Sequence, residues 1–352
     1  MSWATDIPAL DRVATATARA RQARLTKPAG SLGRLEELAI TLAGITGDVI
    51  PRVMTPVAII GAGDHGVTAE GVSAYPSAVT AQMALNFVAG GAAVSVLARQ
   101  VGARVIVVDF GIATELPADA AILRRKIGFG TRNFANGPAM SYAEAVAAIE
   151  AGIGIVNDAI DDGADLIALG EMGIGNTTAS SAIVAALLER PPAEVVGRGT
   201  GIDDAGLTRK IGAVESGLRV NRPDPHDPLD TLAKVGGFEI AGLVGVILGA
   251  ARRRCPIVLD GFITTAAALV ARRLAPPAAY CLVASHRSVE IGHTIILDAL
   301  GLTPLLDLQL RLGEGSGALL ATKIIVSACA LHAEMATFDE AGVSGRLADD
   351  AG

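Results

Sequence analysis

The sequence predicts an α/β protein: a wound parallel sheet flanked by helices, with a small all-helical unit built from both termini. Three observations carry this. Short, continuously apolar, β-branched runs recur from residue 56 onward, as expected of strands buried on both faces of a parallel sheet. Alanine-rich stretches with helical spacing lie between them, giving the strand-helix alternation of a wound sheet. Hydrophobic residues make up 51% of the chain but aromatics only 3%. The core is therefore built from Ala, Val, Leu and Ile, which suits close packing of helices on a sheet.

Taken in order, residues 9–24 and 31–45 place apolar residues at helical spacing around LTKPAGSLG, where Pro28, Gly30 and Gly33 break the chain into a turn. A helical hairpin is expected. Strands are expected next at 57–60 (VAII), 104–110 (RVIVVDF), 165–170 (DLIALG), 255–260 (CPIVLD) and 280–285 (YCLVAS). Helices are expected at 78–100, 141–160, 178–190, 236–253 and 262–274. Residues 318–337 read as a last helix that packs on the hairpin, and the Gly-rich polar tail from 340 carries no clear element. The expected organisation is a helical unit 1–50, a large α/β domain 51–317 and the return of the helical unit at 318–352.

Composition excludes several classes. At 352 residues the chain is long enough for a sizeable core. Its mean hydropathy is +0.47, yet the longest uninterrupted apolar stretch, at 240–251, is well short of the ~20 residues a membrane span needs. No membrane association is expected. The N-terminus mixes Asp6 and Asp11 with arginines and lacks an apolar signal core, so a cytoplasmic location is expected. Cys255, Cys281 and Cys329 form no C-x-x-C pair and are expected as buried free thiols. A net charge of −7 without dense basic runs argues against nucleic acid. Arg124–Lys126 and Arg252–Arg254 read as helix ends or loop cover.

Residues 56–76, PVAIIGAGDHGVTAEGVSAYP, carry G-x-G-x-x-G at Gly61, Gly63 and Gly66, which suggests a dinucleotide site. Gly71 and Pro76 deny that motif its helix. In DLIALGEMGIGNTTASSAIV a strand instead passes through Glu171, Met172, Gly173, Ile174 and Gly175 to Asn176, Thr177 and Thr178, where a helix begins at once. Backbone N–H groups and a helix N-terminus there face one point, as anion binding requires. Asn176 stands where a P-loop has its Lys, which argues against nucleoside triphosphates. Within GRGTGIDDAGLTRK, Thr200 and Gly201 precede Asp203 and Asp204, which can cap a helix, and Lys210 supplies the missing cation if the two loops meet.

Asp260, at a strand end in VLDGFITT, suits either an N-cap or a ligand contact. In SHRSVEIGH, His286, Glu290 and His293 can be drawn as metal ligands, but the spacing is poor because Gly292 is expected to interrupt their helix. Glu314 lies between Gly313 and Gly315 in RLGEGSGA, open to close approach by a substrate. The residues alone fit a general base and a carboxylate set against a helix dipole equally well.

In this order KPAGSLGRLEELA, GAGDHGV, GVSAYPSAVT, LGEMGIGNTT, GTGIDD, GGFEIAGLVG, LDGFITTAAAL, SHRSVEIGH and RLGEGSGA span about residues 27–321. The chain resembles the nicotinate-nucleotide:5,6-dimethylbenzimidazole phosphoribosyltransferase family of cobalamin biosynthesis. The resemblance implies a Rossmann-like large domain, a small helical domain, a homodimer, and no cofactor or metal in the chemistry. It implies transfer of phosphoribose from nicotinate mononucleotide to 5,6-dimethylbenzimidazole or a related azole, with inversion. It assigns Glu314 as catalytic base, Glu171 to Thr178 and Lys210 to the ribose phosphate, and Ser77, Gln82 and Leu312 to the acceptor base, with Asp260 and Ser288 as further substrate contacts. GAGDHG then becomes a turn leading to Ser77, and Asp64 and His65 receive no role. Two rivals stand beside this: a dinucleotide-dependent oxidoreductase and a non-catalytic sensor of nucleotide monophosphates.

Overall fold

All five expected strands form, and an edge strand of two residues joins them. The computed structural model describes residues 5–199 and 201–344 of the chain. Thr200 and, of the tail from 340, residues 345–352 lie outside the described residues. In chain order the elements are α1 (Arg12–Arg24), α2 (Arg34–Thr46), β1 (Pro56–Gly63), α3 (Ala78–Ala89), α4 (Ala93–Val101), β2 (Arg104–Gly111), β3 (Leu123–Arg124) and α5 (Tyr142–Asp161). Then come β4 (Leu166–Met172), α6 (Asn176–Leu187), α7 (Pro192–Val195), α8 (Asp204–Asn221), α9 (Pro228–Val235), α10 (Phe238–Arg252), β5 (Ile257–Leu259) and α11 (Phe262–Leu274). The last are β6 (Leu282–Ala284), α12 (Ile291–Leu300), α13 (Ser316–Glu334) and α14 (Phe338–Ala341).

The described strands make one parallel six-stranded sheet in the order β3-β2-β1-β4-β5-β6. Every residue of β1 is buried, as its unbroken apolar run requires. The strand order reverses between β1 and β4, whose registers place Gly61 opposite Glu171. In such sheets the crevice at the carboxyl end of this switch point is where ligands bind. Scarcity of aromatics shows in the packing: a methyl on Gly152 would lie 1.9 Å from the Gly242 carbonyl oxygen, so α5 and α10 meet backbone to backbone.

The termini join as expected. Arg21 Nε on α1 donates to the His332 carbonyl on α13 at 2.8 Å, Gln22 bonds the His332 ring at 3.0 Å, and α13 also packs on α2. This helix starts two residues before the expected boundary at 318, and it contacts β4 and α4 as well as α2, so one helix runs from the sheet's carboxyl end into the terminal helices.

Three expectations need correction. The helix at 78–100 is two helices, because the chain turns at Gly90 (φ 84°). The segment from Asp204, grouped with the loop before it, is an 18-residue helix; Asp203 caps it, as the sequence allowed, accepting from Gly206 N at 2.8 Å. Its stripe Leu207, Ile211, Val214, Leu218 is masked by charged neighbours. Gly292 does not interrupt a helix but sits in the first turn of α12, where a methyl would lie 2.7 Å from the Val195 carbonyl oxygen. Two stretches, Ala78–Val101 and Ser316–Glu334, are long and apolar enough to cross a membrane by composition. The first is broken at Gly90, and the second is packed between α2, α4 and the sheet. Cys255, Cys281 and Cys329 are buried free thiols.

Candidate active site

The loops singled out in the sequence meet at the carboxyl ends of the strands. The turn after β1 is closed to a dinucleotide. Gly66–Glu70 form one short 3₁₀ segment ending at Gly71 in the left-handed conformation. Asp64 N is bonded to the Gly111 carbonyl at 2.9 Å and Gly66 N to Thr131 Oγ1 at 3.3 Å. A methyl on Gly66 would sit 2.6 Å from the Thr131–Asn133 backbone. With its amides engaged and its surface covered, this turn has no room for a pyrophosphate.

The turn after β4 differs. Gly175 takes φ 97° and α6 begins immediately, so the positive end of its helix dipole faces the crevice. Ile174 N donates to Thr80 Oγ1 on α3 at 3.1 Å, a tie that spans 94 residues and that sequence reasoning missed. Lys210 meets this turn: its Nζ donates to Thr177 Oγ1 at 2.9 Å and to the Gly197 carbonyl at 3.0 Å. The lysine is 0% exposed. Burial pulls its ammonium down to about 8, with the Glu290 charge opposing. Among the described residues only neutral oxygens bond this cation, and it stands beside a helix N-terminus, the arrangement a phosphate completes.

Glu290, whose role the sequence left open, accepts from Gly199 N at 2.9 Å and so fixes the loop that overlies Lys210. Neighbouring Ser288 is buried, and its Oγ accepts from Glu290 N at 3.3 Å. His293 uses both ring nitrogens: Nδ1 accepts from Ser288 N at 2.9 Å and Nε2 faces Thr265 Oγ1 at 3.1 Å. Neither nitrogen is left for a metal. His286 packs edge-on against it, and among the described residues no group of three or more His, Cys, Asp or Glu is arranged to hold a metal ion.

Gly313, Glu314 and Gly315 take φ values of 83°, 64° and 89° in succession. A left-handed glutamate costs on the order of 1–3 kcal/mol and persists only where its surroundings impose it. Asp260 does so. Its Oδ1 accepts from Gly317 N at 2.7 Å and Ala318 N at 3.0 Å, and its Oδ2 from Gly315 N at 3.1 Å. Asp260 is therefore a cap, as one reading of the sequence allowed, but of α13 rather than of the helix that comes directly after it. Glu314 is 7% exposed, and its Oε2 has no protein hydrogen-bond partner among the described residues. Burial raises its carboxyl above the ordinary value, opposed by the Val94 amide.

Glu171 lies against the same loop: a methyl on Gly313 would come 2.4 Å from its Oε1. Its other oxygen accepts from the Asn176 side-chain amide. Burial, with the like charges of Asp260, Glu239 and Glu314, pushes Glu171 up to about 8, so it is largely neutral at pH 7. Two buried carboxyls, both raised by burial, thus lie against one loop, and the more strongly raised Glu171 spares Glu314 a neighbouring like charge. Ser77 precedes α3, with its Oγ 3.2 Å from Thr68 Oγ1, and Gln82 lies on that helix. Leu312, next to Gly313, is 57% exposed.

A family model described as a phosphoribosyltransferase matches residues 7–343. The chain is 60% identical over 338 residues to a nicotinate-nucleotide–dimethylbenzimidazole phosphoribosyltransferase of Roseiflexus sp. (strain RS-1), covering 96% of each chain. It is 54% identical over 335 residues to a protein of the same name from Geobacter sulfurreducens, covering 95% of each. A crystal structure of the enzyme of that name from Thermus thermophilus superposes with a TM-score of 0.91 at 47% identity, covering 96% of this chain and 100% of that one. Similar in sequence and in fold over nearly its whole length, the chain belongs to the nicotinate-nucleotide–dimethylbenzimidazole phosphoribosyltransferase family.

Proposed function

We propose that this chain moves 5-phosphoribose from nicotinate mononucleotide to 5,6-dimethylbenzimidazole or a related azole, releasing nicotinate and forming α-ribazole 5′-phosphate. The observation that carries the reading is a buried glutamate, Glu314, with an unbonded oxygen, held in a left-handed backbone by Asp260. In the nucleotide the leaving nitrogen is a pyridinium, so its bond to C1′ breaks with the electron pair returning to nitrogen and no general acid is needed. One azole nitrogen attacks C1′ from the opposite face, which inverts the centre. The proton on the other azole nitrogen passes to Glu314, leaving a neutral product. General-base help of this kind contributes roughly 10²- to 10⁴-fold.

The turn from Gly173 to Thr178 with Lys210 receives the phosphate, supported by the helix dipole and the Lys210–Thr177 contact. Ser77, Gln82 and Leu312 line the acceptor side, and Ser288 steadies the phosphate loop through Glu290. Asp260 is a positioning residue, since its Oδ2 bonds Gly315 N next to Glu314 and its Oδ1 the first turn of α13. Glu171 acts beside Glu314 rather than on the phosphate, because a carboxyl held neutral there spares the base a like charge.

The same proposal divides the chain into a helical domain (1–50 and 318–352) and a catalytic domain (51–317), supported by the α1–α13 bonds. It includes a homodimer, consistent with the exposed apolar side chains Val289, Ile291 and Leu308, and a cytoplasmic location, consistent with three buried free thiols. Replacement of Glu314 by Gln tests the assignment: kcat for nicotinate release falls roughly 10²- to 10⁴-fold while the KM for nicotinate mononucleotide changes little. Full release by the variant contradicts the role and favours a nucleotide-binding sensor.

A further inference from the structure

Between the two glycine-rich turns lies a pair of side chains that the chemistry above does not use. His65, the second residue after β1, bonds Glu239 in the first turn of α10: Nε2 to Oε1 is 2.7 Å, with side chains 1% and 0% exposed. Glycines surround them. A methyl on Gly63 would come 2.9 Å from Glu239 Oε2, and one on Gly237 would come 2.3 Å from His65 Cε1. From the other side a methyl on Gly173 would meet Glu239 Oε1 at 3.3 Å, and one on Gly175 would meet His65 Cβ at 3.1 Å. The glycines of both turns therefore pack against one polar pair.

This is an expensive way to fill space. Burying two ionisable groups costs desolvation that a pair of apolar side chains avoids. His65 Nδ1 and Glu239 Oε2 moreover have no protein hydrogen-bond partner among the described residues, so the pair is not optimised for stability. What it does provide is directional contact. The bond ties the end of β1 to the start of α10, and the turn after β4 rests on it through Gly173 and Gly175. Apolar filler holds volume but not orientation.

We propose that His65 and Glu239 form a positioning pair for the phosphate-accepting turn, holding the Gly173–Gly175 backbone in the conformation that binds the nucleotide's phosphate. The pair itself touches no substrate. This rests on the functional reading above, and the test separates the two. Full-length His65→Gln keeps an amide nitrogen where Nε2 stands, whereas His65→Asn withdraws it, and Glu239→Asp retracts the acceptor while retaining the charge.

Two readouts are taken on each variant and on wild type: KM and kcat for nicotinate release, and the Kd of inorganic phosphate by calorimetry, which needs no azole chemistry. Thermal melts identify any variant that fails to fold. His65→Asn and Glu239→Asp are expected to raise both KM and the phosphate Kd about tenfold with kcat within about threefold, and His65→Gln to restore both. Variants that fold and bind phosphate like wild type overturn the proposal, as does a fall in kcat with KM unchanged. If wild type releases no nicotinate, the functional reading fails, and the pair is judged on phosphate binding alone.

Discussion

The turns after β1 and β4 look alike in sequence, each a strand end leading into closely spaced glycines, but they are built in opposite ways. After β1 the chain enters a 3₁₀ segment, its amides are bonded to Gly111 and Thr131, and the 131–133 backbone covers it. After β4 a 12-residue helix starts at once, and Lys210 stands beside it with only neutral oxygen partners among the described residues. Glycine spacing alone therefore does not identify a phosphate site. The element that the turn leads into, and the chain packed over it, decide.

The largest separation between the two turns is expected from the cation. Lys210→Gln should lower kcat/KM for nicotinate mononucleotide by about 10- to 100-fold, the range of a charged hydrogen bond of roughly 1.5–3 kcal/mol. The same residue sets a pH limb. Phosphate binding needs the ammonium, whose pKa is lowered to about 8, so kcat/KM should fall as pH rises through that value. In Lys210→Gln this limb should be absent, and a limb that persists assigns the titration to another group.

Next come the glycines. Gly175→Ala imposes a side chain at φ 97°, costing about 1–2 kcal/mol of local strain, and should raise KM about tenfold. Gly66→Ala drives a methyl to 2.6 Å from backbone. It should lower the melting temperature through about 1–3 kcal/mol of overpacking while the folded fraction keeps its KM. Equal KM effects from both would erase the distinction between the turns. The smallest effect is expected from Thr80→Val, which leaves Ile174 N without its acceptor. About 1 kcal/mol corresponds to a severalfold rise in KM, read from steady-state kinetics, with no change in the pH limb.

Legibility depends on distance along the chain. The five expected strands are readable because each lies in a largely apolar run that is mostly buried, and the turn at Gly173–Thr178 is readable because strand, turn and helix are contiguous. Helix α8 carries a readable stripe at Leu207, Ile211, Val214 and Leu218, but its charged neighbours hide how far the helix runs beyond the Asp203 cap. The two-residue strand β3 is too short to leave a pattern. Asp260 holding residues 55–58 positions away, and His65 meeting Glu239 at a separation of 174, leave no local trace. Such contacts arise only when the wound sheet brings its strand ends together. Glu314 is readable as a candidate from its flanking glycines, but its left-handed backbone and the oxygen left unbonded among the described residues are not.

The central claim is that two substrates meet at Glu314 with the nucleotide's phosphate held at the start of α6. Incubating the wild-type protein with nicotinate mononucleotide and 5,6-dimethylbenzimidazole, then measuring nicotinate release and the anomeric configuration of the ribosylated product by NMR, tests it most directly. The account predicts azole-dependent, equimolar nicotinate release and a single α-anomer. No release with any azole, or a product that retains the β-configuration, would contradict it.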